Sequence, residues 1–378
     1  MPTRRASAGR AYSILRPKEG NAGLSASRPA TASAFSRSSP RRATTPSRET
    51  SSISRINHKC LIKKSWVLLL ATVALAQSAG AASAFLDLQT PTGTIHGTLE
   101  IPRGPAPIPI ALLCAGSGPT DRDGNDSAGK NNSLKLLAEG LAEHGIATLR
   151  FDKRGVGASR AAAPREEGLR FDVYVDDAVA WIDQLRRNPR FKGLAVVGHS
   201  DGALVGIVAA TRVAVDTIVA ISGAGRPADD VLLDQLTRQL ASQPRALEEA
   251  RRILGELRAG RTVPKVDAGF AALFRPSVQP YLISWFRYDP TRELAKLTIP
   301  VLIVHGTTDL QLNTTEARAL TRAKPDARLE IIEGMNHVLK IAPGDAQANL
   351  ATYTNPTLPL APELVETVAK FLRQAWGL

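Results

Sequence analysis

The chain has 378 residues, 43% of them apolar, which is enough to bury a large core and excludes a wholly disordered or collagen-like protein. A formal net charge of +13 invites a nucleic-acid or membrane partner, but residues 1–64 hold 14 Lys and Arg against two Glu. The rest of the chain is nearly neutral, so a basic nucleic-acid surface is not expected of its folded part.

Residues 1–59 are rich in Ser, Ala, Arg, Thr and Pro without sustained periodicity, and read as a disordered basic extension. Residues 60–84 read as a signal peptide. Lys63 and Lys64 precede an apolar stretch from Trp66 to Ala76, followed by small residues with cuts expected after Ala81, Ala82 or Ala84. The apolar stretch is short for a membrane span, so no stable span is expected after removal, and the product is expected to be exported, periplasmic or secreted. A buried helix or an uncleaved anchor is the alternative. Met1 and Met335 are the two methionines, and a signal normally opens a chain. The extension therefore reads as a mis-assigned start, with translation from a non-Met codon near Leu61, or else as a long targeting segment. Signal removal would also take Cys60, leaving Cys114 in an apolar run as a buried strand thiol.

Residues 85–378 read as one domain. Two strands near 85–90 and 93–101 flank "TPTG", and the apolar run Ile108–Gly116 has strand length. "SLKLLAEGLAEHG" is helical, with Leu134, Leu137 and Leu141 on one face and Gly145 as its stop. The chain then alternates: strand "IATLRFD", helix 172–187, strand 193–198, a helix after Ser200, and strand "VDTIVAIS". After an interruption come strand "IPVLIVHG", helix 314–323, strand "ARLEIIEG" and a last helix at 361–375. Such alternation predicts an α/β fold with a mostly parallel central sheet flanked by helices. Residues 224–296 break the pattern with helical segments rich in aromatics and read as an inserted cap. Its aromatics are expected either to line an acyl pocket or to pack within the cap.

The nucleophile candidate is Ser200 in "GHSDG", placed between an incoming strand and an outgoing helix. Gly198 and Gly202 permit a sharp turn, and the new helix offers free N–H groups near a developing oxyanion. A serine hydroxyl needs a base, and the base an orienting acid. Asp309 follows strand "VLIVHG", and His337 follows "ARLEIIEG", so all three lie at carboxyl ends of strands, the rim where ligands bind. His199 and His305 adjoin these segments and read as packed supports. The main-chain N–H of Asp201, rather than its carboxylate, is expected in the oxyanion hole.

With "GHSDG", "HGTTD" and "GMNH" in this order, the mature chain resembles the α/β-hydrolase superfamily along nearly its whole length, in particular bacterial esterases of the serine aminopeptidase and lysophospholipase-like group. The resemblance implies an α/β-hydrolase fold with Ser200 as nucleophile, Asp309 as orienting acid and His337 as general base and then acid. It also implies that the backbone N–H of Ser117, with Gly116 as the near alternative, is the second oxyanion donor. The acidic loop with Asp121, Asp123, Asn125 and Asp126 lacks the Gly and Glu of a calcium loop and is expected to brace the site. Arg154 in "FDKRGVGAS" is expected in an ion-pair network. There is no C-x-x-C pair, H-E-x-x-H motif or basic-aromatic cluster in the mature chain, and the reaction requires no cofactor or metal. The expected function is hydrolysis of a small-molecule acyl ester by water through an acyl-enzyme. An aminopeptidase or acyl thioesterase of the same fold is the near alternative, and a noncatalytic binding protein on this scaffold the remote one. Glu248 and Glu249 are open as recognition groups for a substrate amine.

Overall fold

The computed structural model describes residues 81–378. The basic extension and the signal segment up to residue 80 lie outside the described residues. An antiparallel hairpin of β1 (Ala82–Thr90) and β2 (Gly93–Ile101) opens the described chain, followed by β3 (Ile108–Cys114), α1 (Ser133–Glu143), β4 (Ala147–Phe151) and α2 (Phe171–Arg186). Next come β5 (Phe191–His199), α3 (Asp201–Arg212) and β6 (Thr217–Ile221). Five helices intervene: α4 (Ala228–Gln239), α5 (Pro244–Arg258), α6 (Ala271–Phe274), α7 (Gln279–Trp285) and α8 (Pro290–Leu294). The alternation resumes with β7 (Val301–Gly306), α9 (Thr314–Ala323), β8 (Arg328–Ile332), α10 (Ala346–Ala351) and α11 (Pro362–Ala375).

The eight strands form one sheet in the order β1-β2-β4-β3-β5-β6-β7-β8, parallel from β4 through β8. Strand periodicity divides the core. Ile110, Leu112 and Cys114 of β3 join Leu194 and Val196 of β5 on one face, while Ala111, Leu113, Ala195 and Val197 point to the other. The first face is covered by α2, α3 and the inserted helices, through Trp181, Ile207, Leu232 and Leu282. The second is covered by α1 and α11, through Leu137, Leu141, Leu364 and Val368. Because both faces are covered, β3 and β6 are buried at every position and, Thr217 apart, apolar, as the short continuous runs in the sequence indicate. Helix α5 buries Ala250, Ile253, Leu254 and Leu257, the i, i+3, i+4, i+7 stripe of an amphipathic helix.

Most boundaries fall within two residues of the sequence reading, and two features depart from it further. Strand β1 begins at Ala82 rather than 85, inside the segment read as signal, because its backbone pairs with β2 as far as Ile101. The connection from β8 to α11 also contains the short α10, which at 6 residues spans less than two turns and is too short to register as periodic.

Candidate active site

Ser200 is the single residue between β5 and α3, and its backbone is turned to φ 55°, ψ −123°. For a non-glycine residue this conformation costs about 1–3 kcal/mol, supplied by the surrounding structure. Its N–H donates to the Ile221 oxygen at 2.9 Å, and its carbonyl accepts the Ala203 N–H at 3.0 Å. The flanking glycines are required by close approach. A Cβ at Gly198 would lie 2.3 Å from the Gly202 oxygen, and one at Gly202 would lie 2.2 Å from the Cys114 oxygen. Strand β3, the turn and α3 thus touch through backbone alone.

Ser200 Oγ lies 3.1 Å from His337 Nε2, and His337 Nδ1 lies 2.7 Å from Asp309 Oδ2. The other carboxylate oxygen of Asp309 accepts the N–H groups of Gln311 at 2.8 Å and Leu312 at 3.0 Å. Burial alone would raise the Asp309 carboxyl, but the charge and hydrogen bond of His337, with His305 and the Leu312 N–H, hold it below its ordinary value. The carboxylate is therefore ionised and faces His337 Nδ1, while Nε2 faces the Ser200 hydroxyl. All three sequence-predicted residues meet at one end of the sheet.

His199 and His305 are packed. The Nε2–H of His199 donates to the His337 main-chain oxygen at 2.8 Å, and that of His305 to the Leu312 oxygen at 2.9 Å. Burial, then the nearby His337, depress His199 to about 3, so its ring is neutral. Cys114 is buried with its thiol pushed up to about 12, chiefly by burial, and is a packed thiol rather than a nucleophile.

The loop after β3 also borders Ser200. The Ser117 N–H has no hydrogen-bond acceptor among the described residues, and that of Asp201 opens α3, where helix geometry supplies none. Gly116 packs against the serine: a Cβ there would lie 3.1 Å from Ser200 Cβ. Downstream, the acidic groups already have partners. Asp121 Oδ1 accepts the N–H groups of Asp123 and Asn125, both at 2.9 Å, while Asp126 Oδ1 accepts those of Ala128 and Gly129. Arg150 bridges Asp123 and Glu100, and Arg122 grips Asp152. Arg154 forms a fork on buried Asp177, the expected ion-pair network.

A cleft opens from Ser117, Ser200 and Asp201 beneath the inserted helices. Its walls are mainly apolar, including Leu204, Val231, Leu232, Leu236, Leu282 and Trp285. Of the inserted aromatics, Trp285 reaches this cleft. Phe270, Phe274 and Tyr281 are buried in the core, and Tyr288 donates to Asp172 at 2.5 Å. The Arg226 guanidinium in the wall is paired with Glu316 and Asp234. Glu248 and Glu249 lie on α5 away from the cleft lining, and Glu249 pairs with Arg252 at 2.7 Å.

Three supporting groups escaped the sequence reading. Asn336 is fully buried; its Oδ1 accepts the N–H of Val338 and Lys340, and its Nδ2 donates to Asn349 at 3.1 Å and Thr352 at 2.7 Å. Asn349 in turn donates to the Thr308 oxygen, so one network spans the His337 and Asp309 loops. An amide beside the histidine in "GMNH" was the available signal. Lys153 and Tyr281 are the others: Lys153 donates to carbonyls of the Ser117 loop, and the Tyr281 hydroxyl donates to Asp201 at 3.1 Å. Burial raises the Asp201 carboxyl to about 6, against the opposing pull of Lys153, Tyr281 and Trp285.

Among proteins of known sequence, the chain is 28% identical over 252 residues to Esterase EstD of Thermotoga maritima, covering 65% of this chain and 58% of that protein's length. It is 26% identical over 271 residues to Rhodomycin D methylesterase DauP of a Streptomyces species, covering 63% of this chain and 87% of the relative. Among solved structures, Est1E from Butyrivibrio proteoclasticus with ferulic acid superposes with a TM-score of 0.54 at 18% identity, covering 78% of this chain and all of Est1E. The hydrolase GrgF from a Penicillium species gives 0.51 at 20%, with 79% and 100% covered. These structural likenesses establish the fold. Residues 112–349 match the profile of the Alpha/beta hydrolase family, to which this chain belongs.

Proposed function

We propose that the protein is a serine hydrolase that cleaves carboxylic esters through an acyl-Ser200 intermediate. The observation carrying this reading is the continuous hydrogen-bonded line from Ser200 Oγ through His337 to Asp309, at 3.1 and 2.7 Å. His337 Nε2 takes the hydroxyl proton as Oγ bonds to the carbonyl carbon, and the negative charge moves to the carbonyl oxygen, facing the N–H groups of Ser117 and Asp201. Collapse breaks the bond to the alcohol oxygen, which receives the proton from His337. Water then repeats the sequence against the acyl group, His337 accepting its proton and returning it to Ser200 as the acid departs. The two named relatives are an esterase and a methylesterase, which supports an ester as substrate. Labelling with a fluorophosphonate probe tests the assignment. Peptide mapping should locate the label on Ser200, and folded Ser200→Ala should lose both label and turnover; undiminished labelling elsewhere overturns it.

Export is part of the same proposal. Strand β1 starts at Ala82, so cleavage after Ala81 would keep its nine residues, including Ser83, whose hydroxyl donates to Glu100 at 2.6 Å. N-terminal sequencing of the protein from its native host should read Ala82. A native chain beginning at Pro2 overturns processing at this segment.

A further inference from the structure

Lys153 is 7% exposed, carries a charge, and has no carboxylate within ion-pair distance among the described residues. An ammonium so placed is costly unless its donors are used. They are: Nζ donates to the main-chain oxygens of Gly116 and of Gly118, the latter at 2.7 Å, and sits 5.7 Å from the centre of the Tyr174 ring. The two carbonyls bracket Ser117.

We propose that Lys153 is a positioning residue of the oxyanion hole, its ammonium holding the Gly116–Ser117 peptide so that the Ser117 N–H faces the acyl oxygen. The inference rests on the assignment of Ser200 as nucleophile and of Ser117 as oxyanion donor. In a planar trans peptide the C=O and N–H point in opposite directions, so fixing the Gly116 oxygen on Lys153 turns the Ser117 N–H away from it. That N–H has no acceptor among the described residues. A charge-assisted bond to the carbonyl also polarises the amide, making its N–H the stronger donor as charge develops on the substrate. The second donor is coupled to the same cation: Asp201, whose N–H faces the substrate oxygen from α3, has a carboxylate whose charge interacts with Lys153. Burial lowers Lys153 to about 8, opposed by Asp201, which leaves the ammonium largely protonated at neutral pH.

The test separates transition-state from ground-state binding. Wild type and Lys153→Met are compared for hydrolysis of a p-nitrophenyl ester. Their affinities are then measured for a trifluoromethyl ketone, which forms an oxyanionic adduct with a serine, and for the matching methyl ketone, which occupies the cleft without one. The expected result is a fall in kcat of about 10- to 100-fold, somewhat less than loss of a whole oxyanion donor, with KM little changed. Trifluoromethyl ketone affinity should fall by a similar factor and methyl ketone affinity should hold. A folded variant in which both ketones weaken equally, or neither weakens, overturns the inference. If loss of near-UV circular dichroism shows that Lys153→Met does not fold, Lys153→Gln, which keeps N–H donors without the charge, is read by the same comparison. Equal trifluoromethyl ketone affinity in wild type and Ser200→Ala would instead overturn the nucleophile assignment.

Discussion

The Nε2–H of His199 donates to the main-chain oxygen of His337 at 2.8 Å, so the residue preceding the proposed nucleophile anchors the residue proposed as its base. The two rings lie 5.0 Å apart, and a second positive charge there would oppose His337. The folded protein therefore keeps His199 neutral down to about pH 3, whereas the unfolded chain protonates it near its ordinary 6.5.

Between those values the unfolded state binds more protons, so stability rises with pH and is lost as pH falls from 6.5 towards 3. Urea unfolding at pH 7 and pH 5 should show a loss on the order of 1–2 kcal/mol from this group. Asp201, raised to about 6 chiefly by burial, shifts stability the other way over an overlapping range, so the comparison is with His199→Gln. That variant should lose less stability between the two pH values than wild type; an identical loss would assign the acid sensitivity elsewhere.

Asp309→Asn preserves volume but removes the carboxylate that faces His337 Nδ1 at 2.7 Å. The asparagine N–H and the imidazole N–H would compete, favouring the wrong tautomer, and the imidazolium would lose its counter-charge. A fall in kcat of about 10⁴-fold is expected, the scale of the corresponding change in a protease triad. Turnover within a few-fold of wild type in folded protein would remove Asp309 from the mechanism.

Gly202→Ala places a Cβ 2.2 Å from the Cys114 oxygen and 2.7 Å from that of Ala115. Both neighbours are backbone of β3 and its loop, so relief requires the start of α3 to separate from the Ser117 segment. Overpacking of this kind costs about 1–3 kcal/mol. Thermal unfolding should show that loss, and kcat should fall more than KM rises. A variant as stable and active as wild type would contradict the packing described.

Hydrolysis of short p-nitrophenyl esters should exceed that of aminoacyl p-nitroanilides in kcat/KM. The cleft beside Ser200 is walled mainly by apolar side chains, whose burial favours an uncharged acyl chain over a substrate ammonium. Glu248 and Glu249 lie outside its lining, and Asp201 already interacts with Lys153 and Tyr281. A higher value for any aminoacyl amide would transfer the preference to amide bonds while leaving the triad in place.

The sequence by itself determined the alternation of strands and helices, the elbow at Ser200 and the order in which Asp309 and His337 follow, because each is a local pattern. Period-two and period-3.6 hydrophobicity, glycines flanking a serine, and polar residues just past a strand are all visible within a few positions. Tertiary structure decided which groups support them. The Asn336 network depends on Asn349 of a short helix without periodic signal and on Thr352 just after it, and Lys153 meets Gly116 and Gly118 across more than thirty residues of chain. The same holds for Glu248 and Glu249, whose spacing on an amphipathic helix is compatible with either face towards the cleft. Only packing of α5 through Ile253, Leu254 and Leu257 turned them away. Backbone hydrogen bonding and apolar patterning act along the chain, whereas desolvation and charge depend on what surrounds a side chain in space, and that is set only when the elements meet.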